Sequence, residues 1–172
     1  AGPEAFYAAV NQVRAGYIRT EADEVHYNLH IMMRFDLERA LIAGDLGVAD
    51  LEAAWNDRFL TDFGVAVDRP SHGVLQDVHW SHGSLGYFPT YSIGSFYAAQ
   101  FFAHAQKNVL QLNDKIERKE TTELLSWLRK NIHEKGRLYT SEEICEQVTG
   151  EGLNFTYFMN YVKAKYSEIY QD

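Results

Sequence analysis

A chain of 172 residues with 16 Lys and Arg against 24 Asp and Glu has a formal charge of −8, the wrong balance for a nucleic-acid or anionic-membrane surface. The length fits one domain that buries a core without staples, and the one cysteine, Cys145, makes neither an internal disulfide nor a thiolate metal cage, which fits a reducing, cytoplasmic setting. No apolar run reaches the roughly 18 residues of a membrane span, and the first residues lack the basic-then-apolar pattern of a secretory signal.

Pro3 opens a first helix on which Phe6, Val10 and Val13 recur at helical spacing. With no cap or tail before it, this start reads as a piece of a longer chain. Gly16 interrupts, and the strongest helical pattern follows. Val25, Leu29, Met32, Met33, Leu37, Ala40 and Leu41 form one stripe of about five turns, ended by Gly44. Asp50 is placed to cap a helix from Leu51 to Asp62, closed by Gly64, and the segment from Val65 to Ser71 reads as irregular. From about Thr90 the run through Phe96, Tyr97, Phe101 and Phe102 predicts a central, buried helix. The charged stretch from Lys107 to Thr122 predicts a solvated helix with Leu110 and Ile116 as its apolar residues and a turn near Asn113. Leu124, Leu125, Trp127, Leu128 and Ile132 share a helix. Ser141 caps a short one bearing Ile144 and Val148, and Leu153 to Ile169 forms the last. No alternation is long enough for a sheet, so the expectation is all-α, one helical unit over residues 1–172.

Chemistry-bearing residues crowd between Gly73 and Tyr91. Asp77, His79, Trp80, His82, Gln76, Tyr87 and Tyr91 lie there among glycines and a proline, as expected of a functional loop on a helical scaffold. His26 and His30 stand four apart on the long helix, the spacing of a helical metal pair. Tyr27 occupies the place where a zinc peptidase needs its glutamate, so His-Glu-x-x-His is not formed. The other partial match, His133-Glu134, meets Arg137 where the second histidine belongs and reads as a helix end before Gly136. Asp77, His79 and His82 have metal-ligand chemistry, yet a carboxylate beside an imidazole equally serves to orient it. Arg19, ahead of the long helix, suits two-pronged binding of a carboxylate. Its competing use is an ion pair with Glu21 or Asp23.

The segments Ile18-Arg19-Thr20-Glu21-Ala22-Asp23 and Gly73-Val-Leu-Gln76-Asp77-Val-His79-Trp80 resemble two signatures of the carboxypeptidase Taq family of zinc metallocarboxypeptidases, I-R-T-x-A-D and G-x-x-Q-D-x-H-W. The likeness continues through Tyr27-Asn-Leu-His30-Ile, Gly86-Tyr-Phe-Pro-Thr-Tyr91, Tyr97-Ala-Ala-Gln100 and Trp127 to His133. It implies an all-helical, zincin-like fold, a cytoplasmic homodimer, and removal of single residues from peptide C-termini. In that family the zinc is held by His-Glu-x-x-His and a following glutamate motif, both upstream of I-R-T-x-A-D and neither found here. The chain thus resembles the C-terminal portion of such an enzyme, with zinc in the full-length protein and no metal ligand of the family site in this chain.

By the same resemblance Arg19 receives the substrate's terminal carboxylate, with Gln76 and Asp77 on the substrate-binding side. Tyr91 and Tyr87 donate to that carboxylate or to the oxyanion formed at the scissile carbonyl, and His79, held by Asp77, supports that charge. The isolated chain is expected to be inactive and to expose an apolar face or bury it by self-association. Two other readings stay open: a non-catalytic helical binding module that keeps the carboxylate pocket, and an independent metal-binding protein using His26, His30, His79 and His82.

Overall fold

Trp55, Phe59 and Phe63 fall at every fourth position of one helix, and that spacing builds the core beneath the candidate site. The computed structural model describes residues 2–170, and none of these lies in a strand. In chain order the helices are α1 (Pro3–Val10), α2 (His26–Ala43), α3 (Leu51–Phe63), α4 (Pro89–Asn108), α5 (Leu112–Glu117), α6 (Thr122–Asn131), α7 (Ser141–Thr149) and α8 (Thr156–Ile169), with short 3-10 turns between several of them. The chain through Ser92, with the segment that starts at Glu168, forms one compact unit, and Ile93–Ser167 forms another.

In the first unit Met33 and Leu37 of α2 pack on the three aromatic residues of α3. Phe59 and Phe63 stack at 4.4 Å, and Tyr17, Val67, Val74 and Trp80 close the edges. Each large side chain buried in this way contributes about 1.5–3 kcal/mol. The buried face of α2 departs from the apolar stripe read in the sequence. Met32 is 56 % exposed, whereas His30, Arg34 and Glu38 are buried beside Ile31, Met33 and Leu37. Buried polar side chains are ordinarily hydrogen-bonded, and the candidate site supplies the bonds of these three, with Arg34 Nη2 alone among their side-chain atoms left without a partner.

The connection from Gly64 to Phe88 contains only two 3-10 turns, Pro70–His72 and Trp80–His82. Two glycines shape it. A Cβ on Gly73 would lie 2.9 Å from Val67 Cγ1 and 3.5 Å from Trp55 Cδ1, so only glycine allows this approach to the core. Gly86 has φ +75°, a left-handed turn that delivers Tyr87.

In the second unit Ala105, Val109 and Leu112 are buried with Leu124 and Trp127 packed on them. Gln100 is fully buried. It donates to Thr149 Oγ1 and the Gly152 carbonyl and accepts from the Asn154 amide.

Several local expectations are corrected. Val13 lies beyond the end of α1. Asp50 closes a 3-10 turn and makes no side-chain cap. The α7 cap is Thr140, one residue before Ser141, in a reciprocal capping box with Glu143. The turn before α5 falls at Gln111, with φ +53°, and the apolar anchors are Val109 and Leu112, while Leu110 is 79 % exposed. α4 is not buried all round: Ile93 and Phe102 are exposed while Ser92, Gln100 and Ala105 are buried. Its apolar run encircles the helix, but the chain supplies packing partners to part of that surface only. No helix among the described residues is long and apolar enough to cross a membrane.

Candidate functional site

Two arginines close on one carboxylate. Arg19, in the 3-10 turn Arg19–Glu21, donates from Nη2 and Nε to Asp77 Oδ1 at 2.8 and 3.2 Å. Arg34, in the middle of α2, donates from Nε to Asp77 Oδ2 at 2.6 Å. Glu21 and Asp23, the partners weighed for Arg19 in the sequence, are not used. Asp23 instead accepts from the backbone N–H groups of Arg14, Val25 and His26 and contacts His26 Nδ1 at 2.8 Å. The Arg19 guanidinium lies 4.9 Å from the centre of the Tyr91 ring and donates from Nη1 to Tyr27 Oη, so its apolar faces are covered by aromatic rings. Arg34 lies 4.6 Å from the Trp55 ring centre.

Burial opposes all three charges, and the mutual contacts decide the outcome. Asp77 is held below the usual carboxylate range by Arg34 and Arg19 despite its burial. Arg19 is raised, its burial outweighed by the bonds to Asp77 and Tyr27. Burial lowers Arg34 to about 10, which leaves it a cation at neutral pH. Two cations against one anion leave one net positive charge.

Gln76 fastens the two signature segments together. Its Oε1 accepts from the Arg19 amide, and its Nε2 donates to the carbonyls of Tyr17 and His72. A ladder on α2 does the rest. His30 Nε2 contacts the Gly16 carbonyl at 3.1 Å; a carbonyl only accepts, so the proton sits on Nε2 and Nδ1 accepts from Arg34 Nη1 at 3.2 Å. Four residues on, Arg34 holds Asp77. Four further, Glu38 accepts from Trp80 Nε1 at 2.8 Å and from the Gly86 amide at 2.6 Å. Burial, with Arg34 next in weight, depresses His30 to about 4, so it is neutral.

His79 contacts Tyr91 Oη through Nε2 at 3.0 Å. The expectation that Asp77 holds His79 is corrected. Its Nδ1 lies 3.7 Å from Asp77 Oδ1, outside hydrogen-bond range, and is buried without a partner, because both Asp77 oxygens are taken by arginines. Burial lowers the His79 pKa, opposed by the nearby Asp77 carboxylate and reinforced by the two arginines. Tyr87 is half exposed and lies edge-on to Tyr91, ring centres 5.4 Å apart. His82 is exposed at the end of its turn.

No three His, Cys, Asp or Glu side chains among the described residues form a set that could hold a metal ion. This overturns the reading of His26, His30, His79 and His82 as a metal site: His26 faces Asp23, His30 is spent on Gly16 and Arg34, and His79 faces Tyr91. Arg34 and Glu38 are site residues that the sequence reading does not single out. Their signal was present, since they follow His30 at i+4 and i+8 and flank the apolar Leu37.

A family model, Carboxypeptidase Taq (M32) metallopeptidase, matches residues 2–166. Thermostable carboxypeptidase 1 of Thermus thermophilus is 44 % identical over 167 residues, covering 97 % of this chain and 33 % of its own length. The protein of the same name from Pyrococcus furiosus is 42 % identical over 164 residues, covering 95 % of this chain and 33 % of its own. The crystal structure of M32 carboxypeptidase from Deinococcus radiodurans superimposes with a TM-score of 0.95 at 40 % identity, covering 100 % of this chain and 35 % of that one. The chain spans a third of the length of the curated relatives it matches. Matched from residue 2 to residue 166, with both arginine–aspartate segments inside the match, it belongs to the carboxypeptidase Taq (M32) family of metallopeptidases.

Proposed function

We propose that this chain forms the substrate-carboxylate side of a zinc-dependent carboxypeptidase cleft, corresponding to the C-terminal portion of such an enzyme, with the zinc and the water-activating base supplied by other parts of a longer protein. The observation that carries this reading is the arginine–aspartate cluster, two guanidinium groups closed on one carboxylate. Arg19 keeps two of its five N–H groups uncommitted after Asp77 and Tyr27 are served, which suits a terminal carboxylate. Tyr91, set by His79, and the half-exposed Tyr87 donate beside it, while Gln76 and Asp77 hold Arg19 rather than the ligand. In this reading the zinc that the family implies is held by other parts of the longer protein, while this chain contributes binding and orientation and is inactive alone. Leu75, Val78, Leu85 and Tyr87 are exposed around the site, the kind of surface that further chain or a second copy covers. In the same reading the working enzyme is a cytoplasmic homodimer acting on peptides.

Binding of N-acetyl-Ala-Phe and of its C-terminal amide, followed by amide chemical shifts of this chain, tests the proposal. A charge-assisted hydrogen bond of about 1.5–3 kcal/mol predicts binding of the free acid at least ~10-fold tighter than the amide, with the preference lost in Arg19→Met. Equal affinity for acid and amide refutes the carboxylate role. Sustained release of C-terminal residues by the chain with added zinc refutes the placement of the metal site elsewhere.

A further inference from the structure

Arg34 makes no sense as a group that touches a ligand. Its side chain is fully buried on α2, with Nε on Asp77 Oδ2, Nη1 on the carbonyl and Nδ1 of His30, and Nη2 buried without a hydrogen-bond partner. An apolar residue of similar volume would fill the same space against Trp55 and Phe88 at lower desolvation cost. A buried guanidinium therefore needs an electrostatic reason.

Asp77 supplies it. If Asp77 had Arg19 as its one partner, the pair would be neutral, and an incoming carboxylate would have to compete with an anion already seated on the guanidinium. Arg34 takes the second oxygen of Asp77 and brings one more positive charge into a region largely withdrawn from water. The two histidines near by do not add to it: His30 stays neutral through neutral pH, and burial disfavours the cationic form of His79. Arg34 also fixes the carboxylate so that Oδ1 alone serves Arg19.

We propose that Arg34 is a positioning residue for carboxylate recognition, the buried cation that offsets Asp77 so that Arg19 remains electrostatically open to a ligand's terminal carboxylate. This rests on the proposed role of Arg19 and extends it to a residue that is fully buried behind it. The specificity for a peptide's free end then comes from charge parity of a three-residue cluster, not from Arg19 alone.

Charge parity makes a prediction that packing does not. Arg34→Met leaves one cation and one anion, and the dissociation constant of N-acetyl-Ala-Phe rises at least ~10-fold. Removing the anion too, in Arg34→Met/Asp77→Asn, restores a net positive cluster and recovers at least ~3-fold of that loss, although the second substitution removes further native contacts. A purely structural Arg34 predicts the opposite order, with the double variant binding no better than the single one. If Arg34→Met is unfolded by circular dichroism, the decision passes to Arg34→Lys, which keeps the charge and loses the fork. Affinity within ~3-fold of the parent supports the proposal, and a loss of ~10-fold or more overturns it. If Arg19→Met leaves the acid-over-amide preference intact, the carboxylate reading itself fails. If Arg19→Met abolishes the preference and the Arg34 series does not move it, only the role of Arg34 fails.

Discussion

Acidification works against the fold at His30. Its imidazole is fully buried, tilted against the ring of Phe63 at 4.5 Å, with Nε2 on the Gly16 carbonyl and Nδ1 accepting from Arg34. A proton on Nδ1 would turn that acceptor into a donor facing a donor and set two cations 3.2 Å apart. Burial first, and this repulsion second, depress the group from its ordinary 6.5 to about 4. The free-energy equivalent of the change is roughly 3 kcal/mol.

In the unfolded chain His30 takes up its proton near pH 6.5, in the folded chain only near pH 4, so between these values the unfolded state binds more protons. Stability from this group is complete above pH 6.5 and is lost as pH falls toward 4. The unfolding free energy from urea titrations at pH 7, 5.5 and 4.5 should fall by up to ~1.4 kcal/mol per pH unit in that window from His30 alone. His30→Gln, less stable at pH 7, should show a correspondingly flatter slope. The imidazole resonances identify the group directly, as the one missing from the variant. An NMR titration midpoint of 6 or above for His30, or the same acid slope in the variant and the parent, would refute the reasoning.

Phe59→Ala removes a fully buried ring stacked on Phe63 and should cost about 3–5 kcal/mol in urea unfolding. Glu38→Gln replaces one acceptor of the Trp80 and Gly86 bonds by an amide donor, costing about 1–3 kcal/mol; hydrogen exchange of the Gly86 amide should accelerate with it, and unchanged protection would show that Glu38 does not hold the turn. Thr140→Ala breaks the capping box at the start of α7 and should cost about 1 kcal/mol, with faster exchange confined to the first turn of that helix.

What the sequence made legible was whatever has a local cause. The long α2 and its stop at Gly44, and the α3 helix ending at Gly64, follow from periodicity and helix-end chemistry. The two signature segments identified the family. The residues within the site were harder because their partners are remote. Arg19 and Asp77 are 58 positions apart, and nothing near Arg19 told that Asp77, rather than Glu21 or Asp23, would take it. Asp23 looked free for an ion pair and is consumed by backbone amides at the start of α2. Arg34 and Glu38 are not legible as interior residues because charged residues on an amphipathic helix are ordinarily placed on its wet face. Their burial depends on a loop that begins after α3.

The ladder His30, Arg34 and Glu38 is poorly explained as a source of stability. Buried charges cost several kcal/mol each in desolvation, and hydrophobic replacements of buried ion pairs are often neutral or stabilising. What the ladder does provide is address. Each rung fastens a different non-helical segment to one rigid helix: Gly16, three residues before Arg19; Asp77, which holds Arg19; and Trp80 with Gly86, next to Tyr87 and five residues before Tyr91. A hydrophobic face would hold those segments against α2 with much looser register, because apolar contact is not directional, while hydrogen bonds at 2.6–3.1 Å fix both distance and angle. Positional errors near 1 Å are costly where reacting groups must be aligned. The polar interior of α2 is therefore best understood as a scaffold for placement, resting on the aromatic core of α3 through His30 against Phe63 and Arg34 against Trp55, so mutations in the two should weigh differently on stability and on geometry. Phe59→Ala should lower stability without changing the acid-over-amide preference of whatever fraction remains folded. Substitutions in the ladder should change that preference even where the fold survives.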